Sequence, residues 1–204
     1  MLNPISSTIQ SAISVAWPII VISTIILVSF RLCYLINTKQ KIVIYKELCM
    51  LTFVIYILCL FQIVTFQDDT PWATNNFIPF KEIMRYDITS RLFFKNVLGN
   101  MIMFFPFGLF SSYYIRTDKI NISLFLTIVA SVSIEFVQLA IGRVFDVDDI
   151  LLNILGGIVG YLMYKVLRMI ILKLPPFCRK EWVLNLISII LLICFVMIIV
   201  LLIV

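Results

Sequence analysis

The sequence predicts an all-α fold, a polytopic membrane helix bundle of about six transmembrane helices, and three observations carry that prediction. The 204 residues are 62% hydrophobic and only 13% charged. Their mean hydropathy is +1.11, which implies more apolar surface than a soluble core of this size can hide. The apolar residues also fall into runs close to the roughly 20 residues that a helix needs to cross a bilayer core about 30 Å thick. No run shows the alternation of a membrane barrel, over segments of about ten residues, and lipid favours helices because they satisfy their own backbone.

The first run, Ala12 to Ile36, has no basic residue ahead of it, is too long for a signal-peptide core and lacks an A-x-A-like cleavage site. It reads as a retained helix. Pro18 marks a kink or the outer end of this span, since proline removes a backbone donor and crowds the preceding turn. Leu48 to Phe66 forms the second span. The connection that follows, Gln67 to Asn96, is far longer than usual. Its segment "NNFIPFKEIMRYDITSRLFF" mixes aromatics with both charge signs, which suits the membrane interface and equally a plain amphipathic connector. Val97 to Ile115 is the third span, with Pro106 and Gly108 loosening its backbone in "FFPFG". Ile122 to Ile141 and Ile150 to Leu172 are the fourth and fifth, joined by a short turn. Trp182 to Val204 carries almost no polar atoms and reads as a lipid-facing anchor or strut. Trp182, Tyr161 and Tyr164 fall near span ends, where amphipathic rings prefer the head-group layer.

There is no internal repeat, and the chain divides by its pattern into three parts. Residues 1–74 hold two helices and the start of a long outer loop, 75–172 a core of interfacial loop plus three helices, and 173–204 a basic inner loop with the last helix. Short cytoplasmic loops retain lysine and arginine. With both termini extracytoplasmic, eleven of the 16 basic residues fall on or beside the inner loops and five on the outer side. The net charge of +5 then reflects topology and contact with anionic lipid head groups. The lipid bilayer is the expected partner and nucleic acid is not, because no basic stripe lies on a soluble domain.

The five cysteines show no disulfide or C-x-x-C spacing, and the chain has no histidine. A histidine triad and a typical zinc site are therefore excluded, and no metal, cofactor or catalytic residue is assigned. The informative residues are the polar ones inside spans, where each is costly. Glu135 and Gln138 share a face of the fourth span, and Asp149 and Asn153 share a face of the fifth. Asn100 stands at similar depth on the third, and Arg143 and Asp146 lie in the turn, so that all seven converge on one outward-opening pocket. Each also has a plainer role. Asp148 or Asp149 can cap the fifth helix, Arg143 and Asp146 can pin the hairpin as a salt bridge, and Asn100 and Gln138 can join helices. Glu135 needs a partner or a proton, with Arg143, Asn100 and Asn153 at hand. Gly156, Gly157 and Gly160 include a G-x-x-x-G spacing that permits close helix approach; the lysine or serine of a phosphate cradle is missing.

The run "NVLGNMIMFFPFGLF", followed by "SVSIEFVQLAIGRVFDVDDILLNILGGIVGY", resembles the VanZ-like family of bacterial membrane proteins, whose founding members are linked to teicoplanin resistance. The preceding "NNFIPF" resembles that family's N-x-x-P-F element, and the likeness extends from Asn75 to Tyr164. The resemblance points to Asn76, Pro79 and Phe80 in the loop and to Asn100, Pro106 and Gly108 on the third span. It then points to Glu135, Gln138, Arg143, Asp146, Asp149, Asn153, Gly156 and Gly160. It implies a protein of the bacterial cell membrane associated with reduced susceptibility to lipoglycopeptides, and it supplies no reaction. The expected activity is engagement, in the outer pocket, of a lipid-linked cell-wall precursor, a head group or a membrane protein partner. A membrane-embedded enzyme acting on phospholipid or polyprenyl-phosphate head groups is the alternative, although "DVDD" lacks the D-G-x-x-A-R continuation of the CDP-alcohol phosphotransferases. A flippase or transporter would carry a repeat or ionisable groups along a path.

Overall fold

The computed structural model describes residues 3–66, 75–87, 90 and 93–203. Six α-helices run through these residues, and no strand does: α1 Asn3–Asn37, α2 Ile44–Phe66, α3 Gly99–Ile115, α4 Ile120–Ala140, α5 Val147–Lys173 and α6 Glu181–Ile203. They coincide with the six expected spans to within a few residues, apart from an earlier start for α1. Among the described residues, four segments are long and apolar enough to cross a membrane: Trp17–Asn37, Ile44–Ile63, Ile120–Ala140 and Val147–Lys173. Helix α3 has 17 residues, and Glu181–Cys194 of α6 forms a shorter apolar stretch. This is an all-α membrane protein.

Both prolines lie within helices, as the expected spans had them, and the first membrane-length segment begins at Trp17, beside Pro18. Pro18 lies inside α1 and Pro106 inside α3, since a proline costs one backbone bond while the turns on either side still close. Of the long connection, residues 67–74 lie outside the described residues. Its later part contains a 3₁₀ turn at Ile83–Arg85 and a π turn at Phe94–Leu98 that leads directly into α3. Helix α3 ends at Arg116, whose left-handed backbone (φ 54°, ψ 37°) turns the chain towards α4.

The chain folds as two compact units. The first comprises Met1–Ala16 and Ile57–Arg168, and therefore α3, α4 and most of α5. Its interior is held by small residues. A methyl group built on Gly156 would stand 2.2 Å from the Met101 carbonyl oxygen, and one on Gly160 2.1 Å from that of Phe105. One on Gly108 would meet the Gly157 carbonyl oxygen at 2.0 Å. Helices α3 and α5 are thus in backbone contact, which only glycine permits. Gly157 turns instead to the Thr127 side chain of α4. Along that face of α4 runs a ladder at helical spacing, Ser123, Thr127, Ser131 and Glu135, each no more than 2% exposed. Its hydroxyls are paired: Thr127 donates to the Ser123 carbonyl at 2.8 Å, and Ser112 of α3 lies 3.0 Å from the Ser123 hydroxyl. Tyr161 and Tyr164, expected at the head-group layer, are buried in this unit. The Tyr161 hydroxyl donates to the Asp118 carbonyl at 2.7 Å.

The second unit comprises Trp17–Tyr56 and Met169–Val204. Helices α1 and α2 form a hairpin here, cross-linked by two hydrogen bonds from the Arg31 guanidinium to the Glu47 carboxylate at 2.9 and 3.0 Å. Lys41, in the hairpin turn, pairs with Glu181 at 2.8 Å. The Tyr45 amide, one of the donors that a helix start leaves unsatisfied, reaches Asn185 of α6 at 3.1 Å.

Candidate functional site

The site is assembled where α4 ends and α5 begins. Helix α4 closes with a pair of reversed bonds: the Gly142 amide donates to the Leu139 carbonyl at 3.1 Å, and the Arg143 amide to that of Gln138 at 2.9 Å. This closure requires a left-handed residue, and Gly142 supplies it with φ 85°. The chain then has only three residues before Asp146, which caps α5: its carboxylate accepts the Asp148 amide at 2.8 Å. The capping role expected of Asp148 or Asp149 thus belongs to Asp146. It stands one residue before the first helical turn, where a side-chain oxygen reaches the orphan amide two positions on.

Asp148, freed from capping its own helix, serves the long loop. Its side chain is 1% exposed and accepts three backbone amides, from Phe80, from Glu82 at 2.7 Å and from Ile83 at 3.2 Å. It holds the 3₁₀ turn in trans as a cap residue would hold it in cis. Asn76 docks the loop a second time. Its backbone brackets the turn, donating to Phe145 at 2.8 Å and accepting from Val147 at 3.0 Å. Its side chain donates to the Asp146 carboxylate at 2.8 Å. Phe80 adopts a left-handed backbone (φ 67°) between these anchors, while Phe77 stacks on Phe145 with ring centres 5.3 Å apart. Pro79 lies in the turn between the two anchors.

Beneath this lock lie the intramembrane groups. Glu135, 1% exposed, accepts the Asp146 amide at 3.0 Å. With its amide oriented to satisfy both neighbours, Gln138 donates to Glu135 at 2.9 Å and accepts from the Arg143 guanidinium at 2.9 Å. Glu135 and Arg143 are thereby connected through one intervening amide. Asn100 of α3 donates to the Asp149 carboxylate, so three helices meet at this level. One turn deeper, Asn153 donates to Ser131 at 3.0 Å, and its carbonyl oxygen has no partner among the described residues. Asn100, Arg143, Asp146 and Asp149 remain partly accessible, whereas Glu135, Gln138 and Asn153 are buried.

Burial pushes the Asp146 carboxyl above its ordinary range, against the hydrogen bonds from Asp148 and Asn76 that favour the charged form. Like charge from Asp148 and Glu82 adds to the upward shift. Among the described residues, no three carboxylate or thiol groups are arranged to hold a metal ion.

The structure therefore places Asn100, Glu135, Gln138, Arg143, Asp146, Asp149 and Asn153 at one end of the α3–α4–α5 unit, together with Asp148. Reading the sequence for helix caps missed the role of Asp148, whose partners lie 65 to 68 positions earlier in the chain. The hydroxyl ladder on α4 was also missed, although its four-residue spacing into Glu135 is a signal in the sequence. Compared with known proteins, the chain matches the profile of one protein family, described as VanZ/LLP1, over residues 53–168. No curated protein and no solved structure matches it.

Proposed function

The chain belongs to the VanZ/LLP1 family, and on that premise we propose that it is a bacterial envelope protein that binds a lipid-linked ligand at the α4–α5 junction, on the extracytoplasmic face. A lipid-linked cell-wall precursor, with polar groups at the membrane surface and a chain in the bilayer, is the ligand class that suits a polar site set at the end of three apolar helices. The observation that carries the reading is the partly accessible trio of Asn100, Arg143 and Asp149, backed by buried Glu135 and Gln138. Arginine and carboxylate side by side offer a grip for phosphate oxygens and an acceptor for hydroxyl or ammonium groups. The unpartnered Asn153 oxygen supplies a further acceptor below them. By binding such a ligand the protein reduces access of lipoglycopeptides such as teicoplanin to their target.

The test is expression in a teicoplanin-susceptible bacterium. The wild-type chain raises the inhibitory concentration, and Glu135→Gln or Asp149→Asn, at unchanged membrane level, abolishes the gain. Full protection by either variant sinks the proposal. Divalent-metal-dependent conversion of defined envelope lipids by the purified chain would replace it with an enzymatic reading, in which the same carboxylates hold the ion against a phosphate.

A further inference from the structure

The two units differ sharply in charge. Nine basic and nine acidic residues fall in the first, which is therefore neutral, whereas seven basic and two acidic residues fall in the second. The whole net charge of +5 belongs to the unit formed by Trp17–Tyr56 and Met169–Val204. Its basic residues gather where α1 ends, α2 begins and α6 begins: Lys39 and Lys41 in the hairpin turn, Lys46 on the first turn of α2, and Arg179 and Lys180 just before α6. The bond from Lys41 to Glu181 brings these segments to the same end of the unit.

The hairpin also carries a groove of about 230 Å³ whose lining reaches Ile42 in the hairpin turn. Leu27, Val28, Leu32 and Leu35 line it from α1, and Ile44, Leu48, Leu51 and Val54 from α2, with Ile42 at the turn. The Arg31–Glu47 pair is its one charged element. From Ile44 to Val54 the α2 wall is about 15 Å long at the helical rise, which is about half the hydrocarbon thickness of a bilayer. The groove is thus about one leaflet long and apolar apart from the Arg31–Glu47 pair, and its end at Ile42 adjoins Lys41 in the hairpin turn.

We propose that this groove is a binding site for an anionic phospholipid of the leaflet that the α1–α2 turn faces. One acyl chain lies between α1 and α2, and the phosphate is held by Lys39 and Lys46. Charge complementarity selects the ligand: the basic residues gathered around the hairpin turn, at the end of the unit that the groove reaches, attract an anionic head group. The site is separate from the α4–α5 junction and does not depend on the reading given for it.

The full chain, reconstituted in equal parts dioleoyl phosphatidylglycerol and dioleoyl phosphatidylcholine and then washed in mild detergent, is expected to retain phosphatidylglycerol preferentially. The retained lipid is identified by mass spectrometry and counted by phosphate assay. Val28→Trp and Leu51→Trp, which fill the groove and leave the rim intact, abolish retention. Lys39→Gln and Lys46→Gln, both at exposed positions, each lower it about fivefold. Equal recovery of the two lipids overturns the proposal, as does undiminished retention in both groove-filled variants. Retention of short-chain dihexanoyl phosphatidylglycerol as strong as that of the dioleoyl form would show a contact with the head group alone and also overturn it. A cross-linked dimer lost on filling the groove would assign the surface to a second copy of the chain instead.

Discussion

Asp148 concentrates more structural consequence than any other side chain of the site, because three amides of a segment with little regular structure converge on one buried carboxylate. Each hydrogen bond to a charged acceptor is worth about 1.5–3 kcal/mol, and unpaired buried donors add their own penalty. Asp148→Ala is therefore expected to destabilise the first unit by about 2 kcal/mol or more and to expose residues 80–83 to amide exchange and proteolysis. Asp148→Asn keeps one acceptor oxygen and should fall between. Asp146 gives a dependence on pH. Its carboxyl is raised in the folded chain, so the folded state binds its proton more tightly than the unfolded state does. The resulting stabilisation is fully present below the unfolded pKa and is lost as pH rises through the folded one. Denaturation midpoints measured across that window should fall with rising pH in the wild type, and Asp146→Asn should remove this component of the slope.

At the scale of elements, the glycines make opposite demands. Gly156→Ala and Gly160→Ala place a methyl group against the carbonyls of α3 at 2.2 and 2.1 Å, so the helices must separate. A cost of about 1–3 kcal/mol is expected for each, read as a lower thermal midpoint in detergent. Gly142→Ala meets nothing within 4 Å but imposes φ 85° on an L residue, and should cost about 1–2 kcal/mol. It should also disturb the position of Arg143, which follows directly. The helices themselves were legible in the sequence because each is an apolar run bounded by charges or turn residues, and an apolar run in lipid has no competing structure to adopt. Pro106 did not obscure the third of them, because a single missing backbone bond leaves the turns on either side closed. The docking of the long loop was not legible: Asn76 and Asp148 meet their partners across some 70 residues, and no periodicity relates positions so far apart.

For the whole molecule, the sequence carried the total charge but not its partition, since the unit boundaries fall inside α1, α2 and α5, where composition does not change. The seven polar residues around the α4–α5 junction were legible as a group because polar groups inside an apolar run are conspicuous, while their individual partners required the fold. Topology has a direct test. In a background without the native cysteines, Lys81→Cys should react with an impermeant reagent applied to intact cells, and Lys39→Cys only after membrane disruption. The reverse pattern would move the α4–α5 junction to the cytoplasm. The anchoring of the loop also sets a timetable for biosynthesis. The amides of Glu82 and Ile83 are made 66 and 65 residues before the carboxylate that receives them, which at ribosomal rates of about 5–20 residues per second is an interval of about 3 to 13 seconds. During that interval α3 and α4 are added to α1 and α2 while the loop stays unanchored, and the machinery that inserts the chain must shelter a segment whose permanent shelter has not yet been translated.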